Sequence, residues 1–225
     1  MPKYKLENSK GKLWAGAVLG TIAHAMFVVH YPELATLQSW DGINYNIQNS
    51  AGALGTVTFA ENGTVAVFFD AHSSKNPFRS GKGYELESFF EGIPESRFAL
   101  AQAEALQYVL QEYEGIDRPV VTAVFWSEEE DLVAAVPWSD VMVNGAHLVQ
   151  IQLLEIDTAI EEWQSEYEIS PKQIELVRSL FQRKMTNPYL PIQLNRQEQD
   201  VVVNHSATGI VESRELFKNV GIILP

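Results

Sequence analysis

"INYNIQNSAGALGTVTFAENGTVAVFF", residues 43–69, is the stretch on which the reading of the fold turns. Ile43, Tyr45 and Ile47 alternate with Asn44, Asn46 and Gln48, a period of about two that sends apolar and polar side chains to opposite faces of a strand. Two further runs, Thr56–Ala60 and Thr64–Phe69, are rich in β-branched and aromatic residues and are joined by Glu61-Asn62-Gly63. Asn-Gly readily supplies the positive φ angles of a tight hairpin turn, so the spacing predicts an antiparallel meander.

Working outward toward the start, the period changes. Leu13 to Val29 is uncharged, and Trp14, Val18, Ile22, Ala25 and Val29 recur at helical spacing, which predicts a helix over 11–30 with one buried stripe. Lys3, Lys5, Lys10 and Lys12 before this run, and Ala23-His24-Ala25 within it, imitate a secretory signal. Thr21 and His24 interrupt the run, which falls short of a bilayer span. A buried core helix is therefore expected, with no membrane partner.

Toward the end, Pro94-Glu95 opens a helix expected over 94–114, lined by Phe98, Ala101, Ala105, Tyr108 and Val109 and stopped near Gly115. A soft internal boundary fits near residues 115–119. Val120–Trp126 is β-branched and aromatic enough for a strand, and Leu132–Val136 follows as a short apolar run. A second Asn-Gly, at 144–145, separates Val141–Val143 from His147–Leu153, where helix and strand patterns balance. Ile156, Ile160, Trp163 and Tyr167 mark one face of a helix over 155–168. Ser170-Pro171 opens the next helix, Asn187-Pro188 breaks the pattern, and a last helix around Val211–Val220 stops at Gly221. The expectation is one α+β domain over residues 1–225, an antiparallel sheet with helices covering one face.

The chain of 225 residues is long enough to bury a core without staples. It has no cysteine, which excludes disulfides, thiolate metal sites and cysteine nucleophiles and fits a reducing cytoplasm. Oligomeric state leaves no signal in it.

Two stretches hold the chemistry. In the first, Ala71–Gly83, there are three bases and no acid. If the strand ending at Asp70 runs on through His72, both side chains share a face, the spacing of an acid–base or metal pair. That pattern underlies a hydrolytic or metal-assisted alternative centred on Asp70, His72, Lys75 and Arg79. A catalytic zinc needs three protein ligands, however, and His24 and His30 face different sides of the first helix, while His147 and His205 are isolated. Ser73 and Ser74 lack a nucleophile elbow, and Ser80-Gly81-Lys82-Gly83 lacks the rest of a phosphate loop. No catalytic residue, metal or cofactor is assigned, and Lys75, Arg79 and Lys82 remain as anion-binding candidates.

The second is a charge run. Pro119 to Pro171 holds eleven acids and no lysine or arginine, close to the whole net charge of −13. On the helix over 155–168 the acids fall in two rows, Glu155, Glu162 and Glu166 on one side of the apolar stripe and Asp157, Glu161 and Glu168 on the other. Like charges four apart destabilise an isolated helix by about 0.2–0.5 kcal/mol per pair, and no base on this helix offsets them. Nucleic acid is disfavoured because its phosphates would be repelled, and no calcium loop pattern is present. These observations point to a non-enzymatic, inhibitory or immunity-like protein that recognises a basic protein. The candidate contact residues are Glu128, Glu129, Asp131, Glu155, Asp157, Glu161, Glu162 and Glu166. A structural or assembly subunit without a specific ligand is the remaining alternative.

Overall fold

A computed structural model describes residues 3–80, 83–203 and 208–225. The fold is α+β, an antiparallel seven-stranded sheet with helices. The chain packs as two compact units, residues 1–12 with 41–150 and residues 13–40 with 151–225.

The first unit is built on the sheet. The strands of the sheet are β1 (Tyr4–Ser9), β2 (Gln38–Asp41), β3 (Asn44–Gln48), β4 (Ala53–Ala60), β5 (Gly63–Asp70), β8 (Ala123–Glu128) and β9 (Asp131–Ala134), in the order β1-β9-β8-β5-β4-β3-β2, and all but Gln38–Trp40 of β2 belong to this unit. The expected meander is β3-β4-β5. Every residue of the central strand β5 is buried, which its continuous apolar sequence demands. Polar positions that the alternation assigned to the outside are satisfied within the sheet. Thr58 Oγ1 donates to Asn44 Oδ1 and Thr56 Oγ1 to Asn46 Oδ1, both at 2.6 Å. At the β4–β5 turn Ala60 pairs with Gly63, so Glu61 and Asn62 form the loop and only Gly63 takes a positive φ, +142°.

Helices lie on both faces of this sheet rather than on one. Val65, Val67, Val124 and Trp126 pack with Ala101 of α3 (Glu95–Ala103) and with Ala105 and Leu106 of the turn after it. On the opposite face Phe125 meets Phe68 and, at 5.3 Å between ring centroids, Trp138 of α4 (Trp138–Val143). Residues 141–143 are thus helical, and the stretch whose helix and strand patterns balance in sequence forms short 3₁₀ turns at 146–149 and 151–153. The helix expected over 94–114 ends at Ala103. Leu110–Tyr113 (β6) and Ile116–Pro119 (β7) form a separate hairpin whose turn residues, Glu114 and Gly115, take φ of +58° and +77°. Gly115 closes a two-residue hairpin turn and not a helix. Residues 115–119 lie inside this first unit.

The second unit is helical. From Leu13 onward α1 (Lys10–Val28) runs through its core with α5 (Ile156–Glu166), α6 (Pro171–Thr186), α7 (Arg196–Val203) and α8 (Ile210–Asn219). The strands Ile192–Gln193 (β10) and Ile222–Ile223 (β11) pair in parallel. In place of one buried stripe, α1 is buried almost all round from Gly16 to Met26. Gly16 makes this possible on one side, since a Cβ there would collide with the backbone of Gln152. By length and composition alone α1 could cross a membrane, but its apolar surface is covered by this core. A capping box at Ser170 and Gln173 starts α6 where Ser170-Pro171 predicts it.

Candidate functional site

The loop after β5, which ends in one short helical turn, α2 (Pro77–Ser80), is held by a buried polar network. Asp70 Oδ1 accepts the His72 N–H at 2.7 Å, which turns the chain out of the strand, so His72 is exposed and does not share a face with Asp70. The expected Asp70–His72 pair is not formed. Asp70 instead has His147 as its neighbour, with Nδ1 4.0 Å from Oδ2 and 3.3 Å from the Met142 carbonyl. Thr122 Oγ1 accepts from the Asp70 N–H at 2.9 Å and donates to the Asn144 carbonyl at 2.5 Å. Ser73 is 3% exposed; its hydroxyl donates to Asn144 Oδ1 at 2.5 Å and accepts from the Lys75 N–H, so it is fixed as a structural link rather than presented as a nucleophile.

The loop's cations hold the fold together. Lys75 Nζ is 2.5 Å from Asp140 Oδ2, and Arg79 Nη1 donates to the His72 carbonyl at 2.6 Å. Lys82 and His205 lie outside the described residues. Among the described residues no group of three or more histidines and carboxylates is placed to hold a metal. His147 was missed because nothing in linear spacing joins it to Asp70. The Asn144-Gly145 turn, where Gly145 takes φ +140° against Phe68, is the local device that brings it in.

The acidic segment divides into two very different regions. Glu128, Glu129, Glu130 and Asp131 form the β8–β9 turn, with Glu129 at φ +55°. Beside it β1 pairs antiparallel with β9, Lys5 opposite Val133, which delivers a row of lysines. Lys3 pairs with Glu128, Lys5 with Asp131 at 2.6 Å and Lys10 with Glu130 at 3.0 Å. The bases missing from this stretch of sequence are therefore supplied by the first strand and the start of α1. Burial pushes the Glu128 carboxyl up, but the hydrogen bonds from Lys3 and the Trp126 indole, with the charges of Lys3 and Arg97, outweigh it and hold the group below the usual range.

Helix α5 follows its predicted pattern. Ala159, Ile160 and Trp163 are buried, while Asp157, Glu161, Glu162 and Glu166 are exposed. Glu155 stands at the N-cap, and Glu168 lies beyond the helix end at φ +49°, so the second row ends at Glu161. Asp157 pairs with Arg178 of α6. Arg183 is engaged elsewhere, 2.7 Å from Glu198, and Lys184 is 7% exposed with its amine pushed down by burial. Glu161, Glu162 and Glu166 form no ion pair among the described residues. The candidate contacts thus fall on the hairpin of one unit, where the carboxylates are paired, and on a helix of the other, where most are open.

Comparison of the chain with protein-family models, with curated proteins and with solved structures returns no match.

Proposed function

We propose that the protein is a non-enzymatic, cytoplasmic binding protein, inhibitory or immunity-like in kind, which recognises a basic protein through its acidic second half, with the exposed side of α5 at the centre of contact. The observation that carries this reading is the division of α5. One side is anchored by Ala159, Ile160 and Trp163, and the other presents Glu161, Glu162 and Glu166 without cations among the described residues. A fixed helix with an uncompensated acidic side attracts a basic surface over a Debye length of about 8 Å at physiological salt, and accelerates encounter. The formal charge of −13 gives the same sign at longer range and opposes binding of nucleic acid. The hairpin acids Glu128 and Asp131, already paired with lysines, add less.

The experiment is affinity capture from native-host extract at low and moderate salt, with wild type beside the triple variant Glu161→Gln, Glu162→Gln, Glu166→Gln. This variant removes three charges with little change in size or helix propensity. A basic protein retained by wild type, released by salt and lost by the variant is the expected outcome. Recovery of the same proteins by both forms refutes the reading.

A further inference from the structure

The first unit contains a cleft that the proposed function does not use. Its inner chamber, about 210 Å³, is bounded by Ala123 and Val124 at the start of β8, by Ala135 and Val136 after β9, and by the ring of Phe89. Lys75 and Ser88 are its polar members. A second chamber of about 340 Å³ shares Lys75, Ser88 and Phe89 and continues past Tyr84 to Glu85. Of the strand residues at its wall, Val124 and Ala135 belong to the apolar cluster on the α3 side of the sheet. A cavity of about 150 Å³ lined by apolar side chains accommodates benzene, so the inner chamber has the volume for a ring with a short polar arm.

The polar group at its wall has a defined chemistry. Among the described residues Lys75 is the one charged side chain lining the inner chamber. Its ammonium lies 6.0 Å from the Phe89 ring centroid and uses one donor on Asp140. An ammonium has three N–H donors, which leaves two for an incoming acceptor. Apolar walls with one charged donor at the edge are the usual composition of a small-molecule site. Glu85, which lines the second chamber, disfavours ligands with a second negative charge there.

We propose that this cleft binds a small aromatic or branched aliphatic monocarboxylate, its apolar body against Phe89, Val124 and Val136 and its carboxylate on Lys75 Nζ. Asp140 acts as the resident competitor for that ammonium. Removing its charge frees the donor, whereas removing the ammonium leaves only the apolar walls. The two substitutions therefore act in opposite directions.

Phenylacetate and its uncharged analogue phenylacetamide are the probes, titrated into the full-length ¹⁵N-labelled protein. Phenylacetate is expected to bind at least about tenfold more tightly than the amide, a difference of about 1.4 kcal/mol. Its shifts should centre on the amides of Phe89, Val124, Ala135 and Val136. Asp140→Asn, whose side chain still accepts from Asn144, should tighten phenylacetate several-fold. Lys75→Met should abolish the preference for acid over amide, and Ala135→Leu should abolish binding of both. Equal affinity of wild type for acid and amide, shifts centred elsewhere, weaker binding of phenylacetate by Asp140→Asn, or no saturation of wild type by about 10 mM probe overturns the assignment. The comparison of acid with amide in wild type holds whether or not any variant folds.

Discussion

The β8–β9 hairpin and helix α5 read alike in sequence, each a cluster of carboxylates without a local base, and they end in opposite states. On the hairpin, Glu128, Glu130 and Asp131 meet Lys3, Lys10 and Lys5, which strand pairing brings from the other end of the sequence. On α5, Asp157 finds Arg178 while Glu161, Glu162 and Glu166 stay exposed. A charge run in one dimension states how much charge there is. Strand order and helix packing decide whether it is neutralised, and only the uncompensated part is available to a partner.

The largest effect that tests this contrast separates the two sides of α5. Trp163→Ala, which empties a buried site beside Tyr167, should destabilise the protein by about 3–5 kcal/mol in chemical denaturation. The Glu161, Glu162, Glu166 triple glutamine variant should stay within about 0.5 kcal/mol of wild type, or gain slightly from lost repulsion. Equal destabilisation by both would mean that the acidic side is structural.

Acid acts on both units, and in the second the main titrating group is His24. Burial pushes the His24 imidazole down to about 4, its Nδ1 is buried without a partner among the described residues, and Nε2 is 3.4 Å from the Ala35 carbonyl. A base whose folded value lies below its unfolded one binds more protons when unfolded, so stability falls as pH drops from about 6.5 toward 4. The loss should reach about 3 kcal/mol at the bottom of that window. His24→Leu should remove this slope in denaturation measured from pH 4 to 7; an unchanged slope would contradict it.

In that variant the hairpin shows its own smaller response. Glu128→Gln should cost about 0.5–1 kcal/mol at neutral pH, because it weakens the bond to Lys3 and the 3.2 Å bond from the Trp126 indole. The lowered carboxyl of Glu128 stabilises the fold at pH above the ordinary carboxylate range, and that contribution is lost as pH falls through the folded value, so wild-type and variant curves should converge in acid. The smallest effect is at the turn. Glu129→Asn, better suited to φ +55°, should stabilise by about 0.5 kcal/mol, read from the denaturation midpoint.

The same division explains what was legible in the sequence. The meander was, because alternation in β3 and a continuous apolar run in β5 are local signals of strand and burial. Amphipathic α5 and the Ser170 cap of α6 were legible for the same reason. The hairpin β6–β7 was not, since Glu114-Gly115 looks like a helix stop until both residues are seen in the left-handed region. Nor were the Lys3–Glu128 and Lys5–Asp131 pairs or the approach of His147 to Asp70, all of which depend on strand order or on a distant turn. Packing of α1 on all sides escaped because Gly16 and Gly20, which admit close neighbours, have no side chain to count in the apolar stripe.

The most direct measurement is the affinity of the purified basic partner for three forms of the protein as a function of salt. These forms are wild type, the α5 variant Glu161→Gln, Glu162→Gln, Glu166→Gln, and a hairpin variant Glu128→Gln, Asp131→Asn. The α5 variant should lose at least about tenfold in Kd at low salt and show a flatter salt dependence, while the hairpin variant stays within about twofold of wild type. Binding by the α5 variant equal to that of wild type, or a greater loss in the hairpin variant, would contradict the claim that the uncompensated side of α5 is the recognition surface.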